Sequence, residues 1–167
     1  FSRNSRNAGG AKKDTVKKKK TIEDYFFYVG SSKQASDYEV TANFVINHIK
    51  KTFEYGQDIV EALRNLKPPE TKLWKTKLQV STLKDPDDKA REDAQFRMEY
   101  KAELDEIVRR VRALKGNLVK SYALLWERCA KAMQNKIQTR SDFESVIFDD
   151  PIALLRAIKQ HSLNFDE

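Results

Sequence analysis

Apolar side chains at Tyr38, Ala42, Val45, Ile49 and Phe53 are spaced four, three, four and four residues apart. That spacing lays them along one stripe of an α-helix. Ser36 or Asp37 is expected as its N-cap and Gly56 as its end. A shorter helix is predicted next, with Ile59, Ala62, Leu63 and Leu66 inward, stopped by Pro68 and Pro69. A third starts near Pro86, a residue suited to a first helical position, where Asp87 and Asp88 favour the positive end of the dipole. Its inward stripe is Phe96, Tyr100, Leu104, Ile107, Val111 and Leu114, and a further stripe runs through Leu118, Tyr122, Leu125, Cys129, Met133 and Ile137. One rod from 87 to 137 would be about 76 Å long at ~1.5 Å per residue, so a break is expected at Gly116-Asn117. Ser141 to Glu144 has capping-box spacing and should open a short turn or helix. Asp149, Asp150 and Pro151 read as the start of the last helix, with Ile152, Leu155, Ile158 and Leu163 inward.

Two segments follow a different rule. Tyr25-Phe26-Phe27-Tyr28-Val29 is aromatic and β-branched and stops at Gly30, the mark of a short buried strand. From Trp74 to Thr82, Trp74, Thr76, Leu78 and Val80 alternate with Lys75, Lys77, Gln79 and Ser81, giving one buried and one wet face. The two could pair as a short two-stranded β ribbon. The expected class is therefore mainly α, a multi-helix bundle with that ribbon as an optional addition. Phe44, Ile49, Tyr100, Leu104, Tyr122, Leu125, Trp126, Ile137, Leu155 and Ile158 are its expected core-packing residues.

Charge changes the picture at the N-terminus. Of the 32 cations and 25 anions, residues 1–20 hold eight cations and the single anion Asp14. The cations are Arg3, Arg6, Lys12, Lys13, Lys17, Lys18, Lys19 and Lys20. The whole net charge of +7 thus belongs to these residues, and the remainder balances at 24 of each sign. With only Phe1 and Val16 as large apolar side chains, this stretch cannot offset an ordering entropy of roughly 1–2 kcal/mol per residue. It is expected to be a disordered basic tail, with residues 21–167 as the folded domain. Such a polycation gains affinity for nucleic acid by releasing condensed counterions, without sequence preference. A solubilising tail, an import signal at Lys17 to Lys20 and an anchor to acidic membrane are the other readings of the same composition. Arg109, Arg110 and Arg112 form a second basic cluster, whose acidic neighbours point to a solvated helix face.

Catalytic chemistry finds few candidates. Cys129 is the one cysteine and sits on an apolar stripe, where an inert buried thiol is expected; it also excludes an intramolecular disulfide. His48 and His161 each lie on a helix near lysines and read as surface or boundary residues. Asp85, Asp87 and Asp88, like Asp149 with Asp150, fit helix capping and lack the EF-hand pattern. The glycines Gly9, Gly10, Gly30, Gly56 and Gly116 form no phosphate-cradling loop. The expectation is a protein without catalytic residues, metal, cofactor or small-molecule substrate. No apolar run approaches the ~20 residues that span a bilayer, and no signal-peptide core is present. A cytoplasmic protein without membrane contact is expected, with nuclear import as a further option. The chain begins with Phe1, which suggests a fragment or processed product.

The segment from Tyr25 to Phe53 and that from Gln95 to Phe165 resemble the N-terminal, Gag-like part of copia-type LTR-retrotransposon polyproteins. "YALLWERCAKAMQNKI" (Tyr122 to Ile137) followed by "DPIALLRAIKQHSLNF" (Asp150 to Phe165) is the most family-like stretch. The likeness covers roughly residues 21–167. It implies an α-helical capsid-like protein that self-associates around element RNA without enzyme activity. The residues it carries over are packing ones: Tyr122, Leu125, Trp126, Cys129, Met133 and Ile137 on one helix, Ile152, Leu155 and Ile158 on another. The chain departs from the pattern in lacking a cysteine/histidine zinc knuckle. It also ends where further helices would be expected, so a capsid domain truncated at its C-terminus is anticipated. The sequence thus leads to a structural Gag-like protein that self-associates and binds RNA non-specifically through its tail. The alternative is a host-encoded helical interaction module whose basic tail serves import or solubility.

Overall fold

The computed structural model describes residues 18–30, 35–71 and 74–163. Five α-helices among these residues carry the fold: α1 (Ala35–Thr52), α2 (Gly56–Asn65), α3 (Pro86–Glu127), α4 (Lys131–Gln138) and α5 (Pro151–Leu163). α5 lies at the centre. Ile152, Leu154, Leu155 and Ile158 are buried, as are Pro151, Ala153 and Ala157, so this helix has almost no wet side. It packs against α1, α2, α3 and α4. A helix apolar nearly all round belongs in a core, and burying side chains of this size contributes ~1.5–3 kcal/mol each. No helix among the described residues is long and apolar enough to cross a membrane.

In α1 the expected stripe is inward, with Tyr38, Ala42, Val45 and Ile49 buried. The helix includes both Ser36 and Asp37, so neither is its N-cap. Gly56 does not end α1 but opens α2, because the reversal is made by Tyr55 in the left-handed region (φ 52°). Leu66, also left-handed (φ 51°), closes α2, with Lys67 N–H donating to the Ala62 carbonyl at 3.1 Å. Pro68 and Pro69 follow, where they prevent continuation.

α3 begins where the sequence placed it. Asp85 accepts a hydrogen bond from Asp88 N–H at 3.0 Å, with Pro86 at the first turn. It then runs unbroken through Gly116 and Asn117 for 42 residues, roughly 63 Å at ~1.5 Å per residue. The expected break is absent because of a tertiary contact. Asn117 is buried and donates from Nδ2 to the Glu54 carbonyl at 2.7 Å, which ties this turn of α3 to the α1–α2 reversal. A mid-helix glycine costs only about 1 kcal/mol relative to alanine, too little to force a turn. The length is accommodated because the first part of α3 projects beyond the bundle, and its first buried residue is Leu114. Leu104 is accordingly 39% exposed, a correction to its expected core role. Tyr100, Phe96, Ile107 and Val111 are only half-buried.

The chain breaks instead at Arg128 to Ala130, where Phe27 joins it. Phe27 N–H donates to the Arg128 carbonyl (2.8 Å) and Ala130 N–H to the Phe27 carbonyl (2.9 Å). The Tyr25 to Val29 segment therefore pairs, through this single parallel bridge, with the α3–α4 junction and not with residues 74–82. No β ribbon forms among the described residues. Residues 74–82 run as a strap antiparallel to α3: Trp74 lies on Arg110, Thr76 donates to Glu103, and Ser81 N–H donates to Asp93 Oδ1 at 2.7 Å. Polar anchoring overrides the alternation here. Ser81 is buried while Leu78 and Val80 are exposed.

The second stripe survives the break, since Tyr122, Leu125, Cys129, Met133 and Ile137 are all buried. Ile49, Leu155 and Ile158 are buried too, whereas Phe44 and Trp126 are half-buried. Ser141 to Glu144 makes no capping box. Arg140 grips Asp142 through two hydrogen bonds (2.8 and 3.0 Å), and a π-helical turn follows at Phe143–Ile147. Asp150 caps α5 as expected, its Oδ1 accepting from Ile152 N–H (2.9 Å) and Ala153 N–H (3.2 Å). Leu163, expected inward, is exposed because α5 ends there with no element beyond it among the described residues to cover it.

Candidate nucleic-acid interface

Of the tail cations, Arg3, Arg6, Lys12, Lys13 and Lys17 lie outside the described residues. Lys18, Lys19 and Lys20 are described, and all three are exposed. They lead into a 3₁₀ turn at Ile22–Asp24, in which Thr21 N–H donates to Asp24 Oδ2 at 2.8 Å. The buried Arg128 holds that turn, donating from its guanidinium to the Ile22 carbonyl at 3.0 Å and lying 4.7 Å above the Phe26 ring. The root of the tail is thus fixed to the fold at the α3–α4 junction.

Aromatic rings stand beside this root. Tyr25 stacks on Phe44, with ring centroids 4.1 Å apart and planes 17° apart, and Lys20 Nζ lies 5.9 Å from the Tyr25 centroid. Tyr28 is exposed. Cations next to half-exposed rings are what a single-stranded nucleic acid uses, phosphates to the former and base faces to the latter. A depression of about 190 Å³ opens here, and Asp24 and Asp37 are among the residues lining it. Lys20, Tyr25 and Tyr28 line the same depression, so it carries charge of both signs. Sequence reasoning passed over Tyr25 and Tyr28 by assigning the whole run to one buried strand. A period of two with Phe27 inward would have placed Tyr28 outward, but it gives no signal for Tyr25, which lies on the Phe27 side of such a strand.

The second basic cluster is partly engaged within the fold. Arg110 clamps Asp58 through two hydrogen bonds (2.7 and 2.5 Å) and lies 3.8 Å over the Trp74 ring, and the Asp58 contact pushes its pKa further up. Arg109 is 3.9 Å from Glu106. Arg112 is exposed and shares a shallow groove of about 370 Å³ with Arg109, Lys120, Glu54 and Gly116. Arg110 is therefore a fastener of the strap, not a free contact.

Cys129 is buried, its thiol 3.3 Å from the Leu125 carbonyl, and burial pushes its pKa up to about 12. A thiol held protonated is a poor nucleophile. Alkylation of native protein at pH 8 should be at least ~100-fold slower than alkylation of urea-unfolded protein. The raised value also sets a sign. The contribution is intact below pH 9, the ordinary value, and is lost as pH rises from there toward about 12. Cys129→Ala should lack that alkaline component in a stability-versus-pH series, and an unchanged series would contradict it. His48 and His161 sit on different helices, α1 and α5, and His161 Nε2 is 3.3 Å from the Arg140 guanidinium. Among the described residues no group of three or more His, Cys, Asp or Glu side chains converges on a metal-sized site. Comparison with protein-family models, curated proteins and solved structures finds no match.

Proposed function

We propose that this chain is a structural, Gag-like protein of a retrotransposon: its helical body associates with copies of itself, and its basic N-terminal residues hold RNA without sequence preference. The observation that carries this reading is the segregation of charge. A neutral body leaves the attraction for polyanions to residues 1–20, and the root of that segment is clamped beside half-exposed aromatic rings. The resemblance of Tyr25 to Phe53 and Gln95 to Phe165 to copia-type Gag segments supports the same assignment. The proposal gives the chain no catalytic role, cofactor or small-molecule substrate.

RNA affinity measured across a salt series tests it. With eight cations engaged, the logarithm of the association constant should fall with the logarithm of salt with a slope of about −6, from ~0.7 per phosphate neutralised. Removing residues 1–20 should flatten the slope and abolish measurable binding. A variant starting at Thr21 that binds single-stranded RNA as tightly as the full chain would refute the tail assignment.

A further inference from the structure

From Pro86 to Ala113 no residue of α3 is buried. The strap covers only the side bearing Asp93, Glu103 and Arg110. A helix of this kind gains little stability in water unless a face is packed. Roughly a third of a turn round from the strap, at 3.6 residues per turn, lies a second stripe: Arg97, Lys101, Leu104, Val108, Val111 and Lys115, ending at Leu118, which is half-buried against the bundle core. Its steps alternate four and three, the spacing of a coiled-coil seam. Met98 and Val119 flank it and are the two most exposed large apolar residues of α3, at 70% and 61%.

We propose that this stripe is the contact between two copies of the chain, their α3 helices packed antiparallel about a two-fold axis near Arg109. This deepens the self-association proposed above and rests on it. The residues complement themselves under that one operation. When Val108 meets Val111 of the second copy, Met98 meets Val119 and Asp105 meets Arg112. Lys115 lies along Leu104, and Lys101 along Leu118. Each of these contacts occurs twice. The exposed apolar side chains cover one another and a carboxylate faces a guanidinium. The lysine stems lie on leucines while their ammonium groups reach water. A parallel, in-register pair would instead set Arg97, Lys101 and Lys115 each against its own copy, three like-charge contacts in the seam. Charge therefore selects the second copy as occupant and selects its direction.

Disulfide trapping and charge exchange in the full chain test the contact. Positions 98 and 119 lie ~32 Å apart on one helix at ~1.5 Å per residue, too far for a bridge within the chain. On oxidation, a mixture of Met98→Cys and Val119→Cys proteins should form covalent dimer at least ~10-fold faster than either protein alone, through the effective concentration the contact provides. Cys129, buried, stays out of the reaction. Asp105→Arg and Arg112→Asp should each weaken association by roughly 10-fold in sedimentation equilibrium. Mixing them should restore it, because two arginines of one helix then face two aspartates of the other. Both side chains are exposed, and circular dichroism confirms each variant's helix content. If the mixture associates no better than its components, or Met98→Cys cross-links readily to itself, the antiparallel contact is overturned and self-association stands. If the wild-type chain stays monomeric at every concentration, self-association falls and this contact with it.

Discussion

Gly56→Ala should lower the free energy of unfolding by about 3 kcal/mol, the upper part of the range for forcing volume into a packed site. A β-carbon at this position would stand 2.5 Å from the Ile49 carbonyl oxygen and 3.1 Å from the Lys50 Cα, both backbone atoms of α1. No side-chain rotation relieves such a clash, so α1 and α2 must separate. That separation displaces Asp58 and Tyr55, which hold α3 through Arg110 and Glu106. Gly116→Ala supplies the opposite case. Nothing lies within 4 Å of its added carbon, and alanine is favoured in a helix interior by about 1 kcal/mol. Urea denaturation of the two variants should move their midpoints in opposite directions. Similar small shifts for both would show that the close approach at Gly56 is not a constraint.

Phe27→Ala should destabilise by about 3–5 kcal/mol, the cost of emptying a fully packed aromatic site. Phe27 is 1% exposed, lies 5.9 Å from the Tyr38 ring, and is the residue whose backbone pairs with the α3–α4 junction. Its side chain fills the core between α1 and that junction, and its backbone satisfies the groups left open where α3 ends. Loss of the ring should therefore also loosen the root of the basic segment, read as faster hydrogen exchange at the Phe27 and Ala130 amides. Phe26→Ala is the control. That ring is only half-buried, covered on one face by Arg128, and its loss should cost much less. Equal losses for the two would overturn the assignment of Phe27 as the clasp.

Much of the bundle was legible because burial in a helix leaves a periodic trace. Tyr38, Ala42, Val45 and Ile49 lie inward as their spacing required, and so do Leu125, Met133 and Ile137. Asp85 with Pro86 and Asp150 with Pro151 start helices where cap chemistry predicts. The errors share one physical origin, since a pattern along the chain records apolarity but not what stands opposite. Leu104 belongs to the inward spacing of α3, yet it is exposed in the fold. Leu78 and Val80 alternate as a strand should, yet Asp93 captures Ser81 and turns that part of the strap outward. The candidate interface was half legible. Its cations stand out in composition, while Tyr25 meets Phe44 and Arg128 meets the Ile22 carbonyl only through contacts 19 and 106 residues apart.

By itself, the sequence determined the helices that periodicity and caps define, the neutrality of the body, and the concentration of positive charge in the first 20 residues. These are local or additive properties, and each residue contributes to them wherever the chain goes. Only the tertiary structure decided that α3 continues through Gly116, that Phe27 closes the chain against Arg128 and Ala130, and that one face of the α3 arm is left without a partner in the described fold. Those outcomes depend on which distant groups meet. A buried amide such as that of Asn117, finding the Glu54 carbonyl, outweighs the small local preference of one glycine to bend.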